Sequence, residues 1–111
     1  MKVEPNMYVR TKWGYICKLI NINDFREPSM KYGVEANYLR DIMFIGDEDI
    51  LKTSYNIIDL IEVGDYVNGF PVIHKENDIL KCGLLVQFNE NEIKSIVTKE
   101  QFESMSYRME E

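Results

Sequence analysis

Met7-Tyr8-Val9-Arg10-Thr11-Lys12-Trp13-Gly14-Tyr15-Ile16-Cys17-Lys18-Leu19-Ile20-Asn21-Ile22 is rich in β-branched and aromatic residues on both sides of a single glycine. That composition predicts two strands joined by a turn near Lys12-Trp13-Gly14. In the first arm Val9, Thr11 and Trp13 share one face, and Tyr8, Arg10 and Lys12 share the other. In the second arm Ile16, Lys18 and Ile20 alternate with Tyr15, Cys17 and Leu19. One face of this hairpin is expected in the core and the other in water.

Working outward, residues 24–40 hold no sustained period and contain Pro28, Ser29, Gly33 and Asn37, which predicts an irregular connection with a short extended piece around residues 30–34. Asp41-Ile42-Met43-Phe44-Ile45-Gly46 then reads as a short apolar strand, Asp47-Glu48-Asp49 as an exposed acidic turn, and Ile50-Leu51-Lys52-Thr53 as another strand. The run from Ser54 to Ile61 fits either one helical turn capped by Ser54 or Asn56, or a buried strand. Asn68-Gly69 is a strong hairpin signal, because both central residues of that turn need positive φ, and Pro71 beside it belongs on an edge or at a bulge. Further strands are expected over residues 79–88, with a bend at Gly83, and over residues 93–97. Thr98 and Gln101 form a capping box that opens a short helix, and residues 107–109 could return as a last edge strand.

These elements define a mainly β fold class: a small SH3-like, partly open antiparallel barrel of about six strands with one short C-terminal helix. The length of 111 residues and the 45% apolar content suit one domain with one core. No run approaches a membrane span, and Met1-Lys2-Val3-Glu4-Pro5 does not read as a signal peptide, so a cytoplasmic location is expected. Cys17 and Cys82 are too few for a disulfide framework or a zinc knuckle. The six methionines suit core filling better than an adaptable contact.

The inventory for catalysis is thin. His74 is the sole histidine, so neither a catalytic triad nor a two-histidine metal site can be assembled within one chain. No serine or cysteine sits in a nucleophile motif, and no glycine-rich phosphate loop occurs. Asp47-Glu48-Asp49 lacks the ligand spacing of a calcium loop, and Asp59 with Glu62 would need a deep cleft to act on a glycosidic bond. The expectation is a non-enzymatic protein with no catalytic residues, no cofactor and no metal.

Charge is distributed unevenly. The net charge is −6 for the whole chain, but residues 1–40 sum to +3, residues 41–74 to −6 and residues 75–111 to −3. Two binding surfaces therefore compete. One is acidic and partner-binding, built from Asp41, Asp47, Glu48, Asp49, Asp59, Glu62 and Asp65 with Tyr66 as an anchor beside Tyr55 and Phe70. Rows of carboxylates there could imitate phosphates in a partner's nucleic-acid groove, giving fast and selective association. The other is basic and aromatic, with Arg10, Lys12, Trp13 and Lys18 on the hairpin placing cations beside stacking rings, as in single-strand binders. Each set also has an ordinary reading: carboxylates that solvate an outer face, and rings that fill a core.

Three stretches together resemble a group of small proteins carried by phages and prophages of Firmicutes: residues 8–16 around Tyr8-Val9-Arg10-Thr11-Lys12-Trp13-Gly14, residues 56–69 ending in Gly64-Asp65-Tyr66-Val67-Asn68-Gly69, and residues 93–104 containing Thr98-Lys99-Glu100-Gln101. These are turn and packing signatures, so the resemblance carries over no functional residue, and residues 24–40 have no counterpart in it. It implies a phage-encoded protein acting in a host bacterial cell, where small acidic phage proteins often inhibit defence systems. The implied function is an anti-CRISPR inhibitor, its partner a bacterial defence effector such as a Cas9-type RNA-guided nuclease, which holds nucleic acid in positively charged channels. The alternatives are a module binding RNA or single strands through the N-terminal hairpin, and a phage accessory protein using an edge strand as a protein contact.

Overall fold

The structure is a computed structural model and describes residues 2–36 and 42–105. Strands β1 (Tyr8–Thr11) and β2 (Ile16–Ile22) form the expected hairpin, with Val9 opposite Cys17. A 3₁₀ turn over Pro28–Met30 leads to β3 (Tyr32–Ala36), which pairs with β2, and β4 (Ile42–Ile45) pairs with β3. A second 3₁₀ turn, Asp47–Asp49, then delivers β5 (Ile50–Ser54) onto the far side of β1. The resulting antiparallel sheet has the order β4-β3-β2-β1-β5.

The two edges of that sheet, β4 and β5, are consecutive in the chain but not hydrogen-bonded to each other, so the sheet stays open. Ile45 from one edge and Ile50 from the other nevertheless share a buried cluster with Val9, Cys17, Leu19, Tyr32 and Val34. This five-stranded unit is the partly open, SH3-like arrangement that the strand spacing predicts. Burial pushes the Cys17 thiol up to about 12, which keeps it protonated.

Residues 55–105 add a second layer. Asn56 caps a 3₁₀ turn over Ile57–Leu60 by accepting the Ile58 amide at 3.0 Å, which resolves the helical turn against the strand in that stretch. Strands β6 (Tyr66–Val67) and β7 (Phe70–Pro71) flank a turn in which Asn68 and Gly69 take φ of 53° and 86°. Pro71 lies on the edge strand of the sheet β11-β6-β7, whose third member is β11 (Ile96–Val97). Strands β8 (His74–Glu76), β9 (Ile79–Lys81) and β10 (Gln87–Asn89) form the remaining sheet, β10-β9-β8. Helix α1 (Lys99–Met105) starts at the expected capping box: Gln101 Oε1 accepts the Thr98 amide at 3.0 Å, and Thr98 Oγ1 accepts the Gln101 amide at 3.3 Å.

Three expectations are corrected. The described residues contain eleven strands rather than about six, because pieces of two or three residues have no alternation to read. Residues 79–88 form two strands rather than one bent strand, with a tight turn closed by the Cys82 amide on the Val86 carbonyl at 2.8 Å and exposed Leu84 and Leu85 at its tip. Neither face of β1 is wet. Val9 and Thr11 are buried on one side and Arg10 on the other, because Ile16, Ile57, Ile58, Leu60, Ile61 and Val67 belong to a second core cluster, against which Tyr8 packs. The strand expected over residues 107–109 lies outside the described residues. No helix among the described residues is long and apolar enough to cross a membrane.

Candidate functional site

The hairpin carries its first functional candidate inward. Arg10 has no solvent-exposed surface, and its guanidinium meets three chain segments at once. Nη1 donates to Asp65 Oδ2 at 2.6 Å and to the Leu60 carbonyl at 2.9 Å, while Nη2 donates to Asp65 Oδ1 at 3.1 Å and Glu100 Oε2 at 2.6 Å. Asp65 is equally buried and also accepts the amides of Glu62 at 2.7 Å and Lys99 at 2.9 Å. Burial alone would weaken the charge on Arg10, but the Asp65 and Glu100 carboxylates outweigh it and hold its pKa above the ordinary value. Only Nε lacks a partner among the described residues. Arg10 and Asp65 are therefore removed from the nucleic-acid-binding and partner-binding sets respectively: in the folded state each is spent on the other.

Glu62 is also committed within the molecule. Its carboxylate bridges Lys99 Nζ at 2.7 Å and Lys52 Nζ at 2.9 Å, and these two bonds hold its pKa at about 2. Tyr66 is half-buried and stacks on Phe102 of α1, ring centroids 5.0 Å apart, so it fastens the helix rather than rising from an acidic face. Asp59 is exposed on its own 3₁₀ turn, where it accepts the Ser54 hydroxyl at 2.7 Å. Asp41 lies outside the described residues.

The exposed carboxylates that remain together are those of the turn between β4 and β5. Asp49 Oδ2 accepts the Gly46 amide at 3.0 Å and Oδ1 pairs with Lys12 Nζ at 2.9 Å, so its pKa falls below the ordinary carboxylate value. The Tyr32 hydroxyl donates to Asp47 Oδ1 at 2.5 Å. Glu48, like Asp47, faces solvent. Gly46 lets the 3₁₀ turn over residues 28–30 approach closely, since a Cβ there would sit 2.5 Å from the Pro28 carbonyl oxygen. Glu27, Pro28, Ser29 and Gly46 join the three acids in lining an open depression of about 450 Å³. The acidic turn is thus held in shape from below while two of its carboxylates stay in water.

The β1–β2 turn stands beside it. The Lys12 amide donates to the Asp49 carbonyl at 2.9 Å, and Lys12 Nζ lies 4.9 Å from the centre of the Trp13 ring. Thr11 closes the turn through the Gly14 amide at 2.9 Å and, with its hydroxyl, the Tyr15 amide at 3.0 Å. Gly14 takes φ of 88°, and its carbonyl accepts the Thr98 hydroxyl at 2.7 Å. Lys18 is exposed on β2, opposite Glu35. Lys12 and Trp13, from the basic set, and Asp49, from the acidic one, therefore meet in one place.

The residues that sequence reasoning missed here are Glu27, Tyr32 and Glu100, contributed by a loop, β3 and α1. Their sequence separation from the turn left no local signal. Among the described residues no group of three or more His, Cys, Asp and Glu side chains is arranged to hold a metal ion. Fold and site together define a small antiparallel β protein with a rigid surface made from an acidic 3₁₀ turn and an aromatic hairpin turn. No protein-family model, curated protein or solved structure matches the chain.

Proposed function

We propose that this protein is a non-enzymatic, phage-type inhibitor that binds a bacterial defence effector, a Cas9-type RNA-guided nuclease being the first candidate, and blocks DNA engagement through its acidic turn. The observation that carries the reading is the pair Asp47 and Glu48, which project from a turn braced by Gly46, Lys12 and Tyr32 without a lysine or arginine ion pair of their own among the described residues. A braced pair of carboxylates costs little ordering on binding, and positively charged nucleic-acid channels are the complementary surface. The fully buried Arg10 weakens the rival reading as a single-strand binder, since the hairpin keeps only Lys12, Trp13 and Lys18 outside.

Size-exclusion chromatography of the protein mixed with guide-loaded nuclease, before and after target DNA is added, tests this reading. Co-elution is expected with the loaded nuclease and is lost when DNA is bound first. The double variant Asp47→Asn, Glu48→Gln should elute alone. Co-elution with free RNA or DNA instead would transfer the function to the hairpin, and co-elution undiminished in the double variant would remove the acidic turn from the interface.

A further inference from the structure

Beside the acidic turn, Lys12, Trp13, Tyr15, Met43 and Glu100 line a second open depression of about 590 Å³. Its floor is firm, because Tyr15 and Met43 pack against the buried cluster of the five-stranded sheet. Its wall is equally firm. Trp13 sits on a four-residue turn fixed by Thr11 from within, by the Asp49 carbonyl on one side and by the Thr98 hydroxyl on the other. Yet 47% of Trp13 is exposed, which is a large apolar area to leave in water on a turn so tightly held.

A cation already occupies this ring. Lys12 Nζ lies over the indole and is anchored by Asp49, so a lysine from the chain itself satisfies both an aromatic face and a carboxylate. Glu100 adds a second carboxylate to the rim, with only Oε2 engaged, by Arg10, among the described residues. An aromatic face with carboxylates beside it suits a guanidinium better than an ammonium. The planar group stacks on indole while its fork of donors reaches the acids, and it gives up its hydration more readily.

We propose that this shelf receives an arginine side chain of a basic protein partner, its guanidinium displacing the Lys12 ammonium from the Trp13 ring. The inference rests on the preceding reading, which it deepens: the acidic turn supplies attraction, and the shelf supplies the central anchor that one interface residue needs to dominate binding energy. Lys12 acts as a built-in competitor that keeps the shelf covered until the partner arrives.

Trp13 is the only tryptophan of the chain, so its emission reports this shelf alone. The full protein is titrated with a blocked hexa-arginine peptide, and in parallel with hexa-lysine and with oligothymidine, while calorimetry records binding independently of the indole. A saturable change in Trp13 emission is expected with the arginine peptide, at an affinity about threefold to fivefold higher than for the lysine peptide. Lys12→Gln, an exposed substitution whose folding is checked by circular dichroism, should tighten arginine binding by a similar factor, and Trp13→Leu should weaken it in calorimetry. Calorimetric binding that Asp47→Asn, Glu48→Gln abolishes but that leaves Trp13 silent would overturn the shelf and spare the acidic turn. Absence of any peptide binding would overturn both, and an emission change produced only by oligothymidine would assign the shelf to nucleic acid instead.

Discussion

Two acidic turns of this molecule look alike in sequence and differ entirely in use. Asp47-Glu48-Asp49 and Glu62-Val63-Gly64-Asp65 both follow apolar segments and both lead into a strand. In the first, Asp47 and Glu48 remain in water, Asp47 held by the Tyr32 hydroxyl alone, and only Asp49 is ion-paired. In the second, Asp65 is wholly buried on Arg10 and Glu62 is clamped between two lysines. The difference lies in what the rest of the chain brings to each turn. A carboxylate turn at the rim of the open sheet meets one lysine, whereas the turn lying between the two layers meets an arginine from β1 and the first amide of α1. Net charge along a chain thus reports where acids are, and only the tertiary partners decide which of them a binding protein can see.

The sharpest way to break this comparison is to remove the cation from the buried turn. Arg10→Met should cost about 3–5 kcal/mol, because it leaves the Asp65 and Glu100 carboxylates without their counterion in a desolvated site. The double change Asp47→Asn, Glu48→Gln at the exposed turn should stay within about 0.5 kcal/mol. Urea melts of both variants check the contrast, and equal losses would mean that the two turns carry similar structural weight.

A smaller loss is expected where the hairpin turn meets α1. Gly14→Ala places a Cβ 2.4 Å from Thr98 Oγ1 at a positive φ, and should cost about 1–3 kcal/mol in the same assay while leaving the acidic turn in place. The mildest effect concerns acid. The pKa of Glu62 is lowered from 4.5 in isolation to about 2 by the Lys99 and Lys52 bonds, so its contribution is fully present above the higher value and disappears as pH falls through the lower one. Glu62→Gln should therefore be less stable at neutral pH and should lose less stability than the parent between pH 4.5 and 2, as followed by thermal melts across that range.

The elements with strong local chemistry were legible in the sequence. The β1–β2 hairpin, the Asn68-Gly69 turn, the edge position of Pro71 and the capping box of α1 each depend on residues adjacent in the chain. Strand β8 was not legible, since His74-Lys75-Glu76 is polar and too short to alternate. Its Lys75 nonetheless reaches the Ile61 carbonyl at 2.9 Å and steadies the end of the 3₁₀ turn over Ile57–Leu60. The site was legible in part. Local pattern exposed Asp47 and Glu48 correctly, but it could not reveal that Arg10 points into a second layer, because alternation along one strand says which residues share a face and not whether that face is covered. The proximity of Lys12 to Asp49 was hidden for the same reason: it is a product of β5 returning to β1.

The sequence separations inside the buried cluster bear on how this chain can emerge from a ribosome. Arg10 meets Asp65 across 55 positions and Glu100 across 90, although the five strands of the barrel-like sheet are complete by Ser54. A nascent chain that has finished its sheet therefore still carries an uncompensated guanidinium on one of its faces, and translation must continue past Asp65 and on to Glu100 before both carboxylates have arrived. Helix α1 acts less as an appendage than as the element that completes the partners of β1, and emergence of Glu100 from the exit tunnel should mark the moment at which the first hairpin becomes stable.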